Sequence, residues 1–330
     1  MVLLILSVVL SISVGSVLIP FGDIVAYLFG SKDNHPLFAT IIGKFRLPKT
    51  LAALTAGAGL SLSGLLMQSY FRNPLAGPYV LGISSGASLG VALLTLAGIN
   101  LAAFTGLGHA WSIALSAALG SLAVFMVIMY ASLRIHNHVM LLILGIMFGS
   151  ATSALVSIMQ YFSQADSLQR FLFWSFGNLG GLTWQELQVM LPLVGIGILL
   201  SLWALKDLQA MSLGETYAAS MGVPLKKLRW LIVLSTSIMA GVITAFCGPI
   251  AFVGIGVPHL ARLLFRTANQ QVLFPGSLLL GMIILLLCDS IAQVPGSDYT
   301  LPINIITSLL GAPLVISMLL KNRNVKSMLS

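Results

Sequence analysis

Residues 229–265 are almost continuously apolar, and no single bilayer-crossing helix can contain them. At 1.5 Å per residue the run would extend about 55 Å, against a hydrocarbon core of about 30 Å, and tilt does not absorb that difference. Gly248-Pro249 stands near its middle. Pro249 removes a helix hydrogen bond, so the run reads as two spans joined by a tight turn. Such a run needs lipid around it. Hydrophobic residues make up 58% of the 330 positions and charged residues 7%, far from the roughly 45–50% and 25% of soluble domains. Only helices and closed barrels satisfy their backbone in lipid, and unbroken apolar runs exclude a barrel. The expected fold class is all-α integral membrane, a polytopic bundle.

Spans are expected at about 1–19, 50–70, 79–98, 110–133, 139–162, 187–205, 229–247, 250–266, 272–291 and 303–320. These ten form one transmembrane domain over residues 1–330, with both termini on one side. The first lacks a basic n-region and a convincing small-x-small site before a soluble domain, so it is expected to be retained. With the termini inside, eleven Lys and Arg fall on inner segments and five on outer ones, as positive-inside orientation requires. A nine-span arrangement starting outside divides them ten to six, so helix length, rather than charge, chooses ten. Topology thus accounts for the net charge of +8, and no nucleic-acid partner is implied. No polar catalytic or nucleotide-binding region is present, which assigns any ATPase or receptor to a separate chain.

Arg46-Leu-Pro-Lys49 places two cations at the outer mouth of a small-residue helix, Thr50 to Ser69. They cost free energy unless an anionic group meets them, and so point to a docking partner. Gly82, Gly86 and Gly90 recur every fourth residue and would share one helix face; Gly57/Ser61 and Gly59/Ser63 repeat the spacing. Small faces permit close helix packing, or line a pathway. The outer segment 163–184, with Gln164, Asp166, Gln169, Arg170, Trp174 and Trp184, fits a short interfacial helix that anchors the chain or meets a receptor. On the inner side, within a segment at about 206–228, Ser212 or Gly214 can cap a short helix opened by Glu215, and Gly222 and Pro224 stop it. A short helix held between two spans presents a knob to a soluble partner, or is an ordinary loop.

Intramembrane charge is sparse. Asp289, near the outer end of span nine, is the one carboxylate placed to be intramembrane. A proton- or sodium-driven carrier normally keeps several ionisable or broken-helix sites near the midplane. His259 reads as a packed histidine. His136 and His138 lack a third ligand, and Cys247 and Cys288 lie in apolar surroundings, so no metal site is expected. No HExxH, facing aspartate pair or Gly-x-Ser-x-Gly supports an enzyme, and no catalytic residue is assigned.

Together, Arg46-Leu-Pro-Lys49-Thr-Leu-Ala, Gly64-Leu-Leu-Met-Gln68, Asn73-Pro-Leu-Ala76 and Leu81-Gly-Ile-Ser-Ser-Gly86-Ala resemble the permeases of iron-siderophore, haem and cobalamin ABC importers. So do Leu213-Gly-Glu215, Ala218, Met221-Gly222-Val-Pro224, Gly248-Pro-Ile-Ala-Phe-Val-Gly254, Val257-Pro-His259, Arg262, Leu301-Pro302 and Gly311-Ala-Pro313. The resemblance runs in order through nearly the whole chain. It implies the type II ABC importer permease fold, with spans two to five and seven to ten as inverted repeats. It implies a bacterial inner-membrane protein paired with a second copy, with cytoplasmic termini. Two cytoplasmic ATPases, which hold the ATP and Mg, and a periplasmic or lipid-anchored binding protein are its implied partners; the chain itself would carry no cofactor.

By the same resemblance, Arg46 and Lys49 match basic positions that meet acidic residues of the binding protein. Cobalamin-type members carry arginine at both, and a lysine forms a point-charge pair but no bidentate fork. Gln293 replaces a third arginine, which would shift docking toward contacts such as Arg170. Gly214, Glu215, Ala218, Ala219, Met221 and Gly222 match the coupling helix that enters a cleft of the ATPase. The inner gate maps near His138 and Val139; the face of Gly82, Gly86 and Gly90 is a pathway candidate on spacing alone. An ion-gradient-driven secondary transporter is the alternative: it shares the topology but explains neither the outer basic pair nor the inner helix. Ferric siderophore, haem and cobalamin all remain open as cargo.

Overall fold

The computed structural model describes residues 1–15, 17–28, 36–97, 109–134, 138–293 and 300–321. Among them there are helices, turns and loops and no strand. The chain opens with α1 (Val2–Ser13), α2 (Phe21–Leu28) and α3 (Pro36–Ile41), followed by a π turn, Ile42–Arg46, and α4 (Leu47–Tyr70). A 3₁₀ turn, Pro78–Leu81, leads into α5 (Ile83–Thr95), α6 (His109–Arg134), α7 (His138–Phe162) and α8 (Ala165–Ser175). Then come α9 (Trp184–Trp203), α10 (Leu205–Met211), α11 (Glu215–Ser220), α12 (Leu225–Cys247), α13 (Val253–Phe265), α14 (Gln270–Ala292) and α15 (Ile303–Lys321).

Six stretches are long and apolar enough to cross a membrane, and four shorter apolar helices (α1, α5, α13 and α15) accompany them. Each expected span meets one of these ten, in order. The break at Gly248-Pro249 is as expected: α12 stops at Cys247, Gly248 takes φ +73, and α13 starts five residues later.

Two elements differ from the sequence reading. Span two begins near residue 36 rather than 50, because α3, the π turn and α4 form one helical stretch of 35 residues, Pro36–Tyr70. The π turn makes this possible. Leu47 donates to Ile42 O, five residues back, immediately before Pro48, which has no N–H to give. The register shift thus falls where an α-helical bond is missing in any case. The second difference is Gly82. It does not share a helix face with Gly86 and Gly90, because it ends the 3₁₀ turn in the left-handed region at φ +77 and precedes α5. Equal spacing in sequence cannot reveal that turn.

α4 is the hub: 83% of its apolar window is buried, against 17% for α7, which lies at the periphery. Glycine sets these approaches. A Cβ on Gly64 would lie 1.6 Å from Gly254 O on α13, and one on Gly57 would lie 2.3 Å from Gly281 O on α14. In α5, Gly86 and Gly90 meet Gly120 and Ser116 of α6 in the same way. In lipid, such backbone approach replaces much of the hydrophobic drive that packs soluble helices.

Candidate functional site

Arg46, Lys49, Gln293 and Asp289 converge at one end of the α4–α14 contact. Lys49 Nζ lies 3.0 Å from Asp289 Oδ1, with the two side chains 16% and 4% exposed. Gln293, at the C-cap of α14, donates from Nε2 to Asp289 Oδ2 at 3.2 Å and accepts at Oε1 from Arg46 Nη1 at 3.0 Å. Arg46 Nη2 donates in turn to Val17 O at 3.0 Å. The chain of bonds ties the segment after α1 to α4 and α14. Gly15 leaves room for it, since a Cβ there would overlap the Arg46 guanidinium at 1.9 Å.

Two cations therefore share one carboxylate, and both are turned largely into the protein: Arg46 is buried, while Lys49 borders a cavity of about 410 Å³ that Asn178, Asp289, Gln293 and Thr300 also line. An arginine at position 293 would confront Arg46 with a like charge; the glutamine accepts from Arg46 and donates to Asp289. This accounts locally for Gln293 in place of the expected third arginine. Asp289 was legible as an intramembrane carboxylate, but its partner is 240 positions away, and the only sequence signal was the unneutralised pair itself. Arg170 stands apart, exposed on α8, with its guanidinium 3.4 Å from Ser167 Oγ. α8 is the short helix expected in segment 163–184, and beyond it Trp184 donates from Nε1 to Gly43 O at 2.8 Å.

At the far end of α4, a two-helix elbow occupies the expected inner segment. α10 was not foreseen; α11 is the six-residue helix expected from Glu215. Gly214 caps it at φ +121, and Ser212 instead closes α10 through Oγ to Gln209 O at 2.6 Å. Gly222, at φ +84, ends it, with Gly222 N–H and Val223 N–H donating to Ala219 O and Ala218 O at 3.0 Å. Both glycines occupy backbone that a side chain would strain. Ala218 is wholly buried and anchors α11, whereas Ala219, Leu213, Tyr217 and Met221 are exposed. Behind the elbow, Arg229 Nε donates to Tyr70 OH at 2.8 Å, tying α12 to α4, and Gln270 N–H donates to Gln209 Oε1 at 2.8 Å, joining the elbow to α14.

Of the expected gate residues, His138 and Val139 open α7 and their side chains lie outside the described set; Gly86 and Gly90 sit in the α5–α6 contact. His136 falls outside the described residues. Among the described residues, no three His, Cys, Asp or Glu side chains gather.

The description "FecCD transport family" matches residues 3–321. The chain belongs to the FecCD transport family. It is 37% identical over 325 residues to the vitamin B12 import system permease protein BtuC of Citrobacter koseri, covering 98% of this chain and 93% of that one. The protein of the same name from Salmonella typhi is 38% identical over 281 residues, covering 85% and 84%. Among solved structures, an inward-facing metal-chelate-type ABC transporter superposes with a TM-score of 0.83 at 31% identity over 97% of both chains. PsaBC from Streptococcus pneumoniae, in complex with Fab, shares the fold at a TM-score of 0.55 and 18% identity, covering 89% and 94%. As a FecCD member with ten apolar helices among its described residues, the chain is a multi-pass membrane transport protein, and the ABC permease fold expected from its motifs is the one its structural relatives have.

Proposed function

We propose that this chain is the membrane-spanning permease of an ATP-driven importer that carries a metal chelate (ferric siderophore, haem or cobalamin) across a bacterial inner membrane. Two copies enclose the pathway, a periplasmic or lipid-anchored binding protein delivers cargo at the Arg46–Lys49–Arg170 face, and two cytoplasmic ATPases bind beneath. Both termini are cytoplasmic. The observation that carries this reading is α11: a six-residue helix capped by glycines at both ends, anchored by buried Ala218, with Leu213, Tyr217 and Met221 exposed. So short a helix is unstable alone. Held by its neighbours, it offers an apolar knob to a cleft in a soluble protein, and nucleotide-driven closure of that cleft moves the bundle.

ATP and Mg belong to the ATPases in this scheme. His138 and Val139 at the inner start of α7 are the proposed gate. The elbow of α10 and α11 is the proposed route by which the ATPases reach it. A gradient-driven carrier requires a carboxylate free to load and release an ion, and Asp289 is instead held by Lys49 and Gln293. Affinity purification from the native membrane in mild detergent, followed by mass spectrometry, tests the proposal. An ATPase with a Walker A motif is expected in equal ratio; a chain that purifies alone in several detergents would overturn it.

A further inference from the structure

α4 ends in a Schellman turn: Asn73 N–H donates to Gln68 O at 3.2 Å, and Arg72 occupies the left-handed region at φ +49. Glycine is the unstrained residue at such a position, so this arginine is kept against its backbone preference. α13 also ends on a left-handed arginine, Arg266 at φ +47, whose N–H donates to Arg262 O at 2.9 Å. Between the two ends lies a cavity of about 390 Å³, lined by Gln68, Arg72, Ser212, His259, Arg262 and Gln270 among others, with no carboxylate among its lining residues. Arg262 is braced on one edge by donating to Gln68 Oε1, and Gln68 is fixed by its own bond to Ile255 O at 3.0 Å. Gln270 is 4% exposed; its Nε2 donates to Ser69 Oγ at 2.9 Å, but its Oε1 has no partner.

We propose that this cavity is a phosphate-class anion site, filled by the headgroup of an anionic phospholipid carrying a glycerol hydroxyl, as phosphatidylglycerol does. Its place on the cytoplasmic face rests on the topology proposed above. The guanidinium groups of Arg72 and Arg262 match phosphate oxygens, and the His259 imidazole supplies another donor. The headgroup hydroxyl is a donor of the kind that Gln270 Oε1 lacks. The site also lies among the ends of α4, α13 and α14, at headgroup depth, where basic pockets between helices select anionic lipid. Beside Arg262, Leu263 and Leu264 are 60% and 64% exposed and offer an apolar face to the acyl chains.

The test titrates the full-length protein in detergent with short-chain phosphatidylglycerol or phosphatidylcholine, reading retained lipid by native mass spectrometry and the thermal midpoint in parallel. Phosphatidylglycerol is expected to be retained and to raise the midpoint, phosphatidylcholine to do neither. Arg72→Gln and Arg262→Gln should each weaken phosphatidylglycerol binding about tenfold, worth about 1.4 kcal/mol. Arg72→Gly separates binding from folding: it should keep or raise the lipid-free midpoint by relieving the left-handed residue, yet lose the lipid effect. Equal response to both lipids, or unchanged phosphatidylglycerol affinity in Arg72→Gly, would overturn the proposal. So would full protection by inorganic phosphate, which makes the ligand a free anion, or displacement of the lipid by added ATPase, which gives this surface to the ATPase. Uptake measured in proteoliposomes keeps the readings apart: transport without any lipid preference sinks the headgroup site and leaves the importer standing.

Discussion

Replacing Asp289 by asparagine keeps the shape of the Lys49–Asp289–Gln293–Arg46 cluster and removes its one negative charge. At the observed 3.0 Å, two unit charges attract by about 5–6 kcal/mol at an effective dielectric constant near 20. Desolvation cancels part of this, and deleting one partner of a buried pair costs about 3–5 kcal/mol, because the other charge is left stranded. Both groups border the adjoining cavity, so the lower end applies: about 3 kcal/mol for Asp289→Asn and about 3 kcal/mol for Lys49→Met. Together they should cost about 2 kcal/mol instead of the additive 6 or so, since neither member of the pair then remains stranded and Arg46 keeps its bonds to Gln293 and Val17. Unfolding by sodium dodecyl sulfate titration in mixed micelles reads all three variants against the parent. A coupling energy below about 0.5 kcal/mol would show that the pair is screened by solvent, and would refute the account of the cluster as a buried electrostatic tie.

Gly64→Ala should abolish the monodisperse folded peak in fluorescence-detected size exclusion, because its Cβ falls 1.6 Å from Gly254 O. Gly22→Ala, with nothing within 4 Å, should leave that peak intact or sharpen it. Arg170→Glu reverses an exposed charge on α8 and should weaken binding-protein affinity about tenfold at low salt, with the difference shrinking as salt rises; an unchanged affinity by surface plasmon resonance removes Arg170 from the docking face. Glu215→Ala should leave yield and folding unchanged while abolishing cargo-stimulated ATP hydrolysis in the reconstituted complex. Parental stimulation would show that α11 does not couple.

The ten apolar helices among the described residues, six long and four shorter, were legible because each is a continuous apolar run bounded by charge or by Gly-Pro breaks, which are local signals. The same holds for α8 and α11, whose tryptophans, glycines and first-turn acid sit within a few residues of the helices they shape. Tertiary features were not legible. Nothing near Lys49 reveals Asp289, and nothing near Gln293 shows that its amide would sit between a guanidinium and a carboxylate. Gly82, Gly86 and Gly90 look equivalent in sequence, and only the 3₁₀ turn at Pro78–Leu81 separates the first from the others. The early start of span two was hidden because Pro48 reads as a helix start, whereas the π turn before it lets the helix pass through.

The 35-residue stretch from Pro36 to Tyr70 sets how the two faces of the molecule communicate. Within it, Arg46, where α4 begins, and Gln68, near the end of α4, are about 33 Å apart along one axis at 1.5 Å per residue. Glycine contacts at positions 57 and 64 clamp the intervening turns against α14 and α13, so the segment has little freedom to bend and moves as a strut. A rocking of about 5° about its midpoint shifts each end by about 1.4 Å, more than the roughly 0.5 Å range over which a hydrogen bond holds. An anion that draws Lys49 away from Asp289 would therefore be felt at Gln68, where the same rod braces Arg262, without any intervening side chain changing its partner.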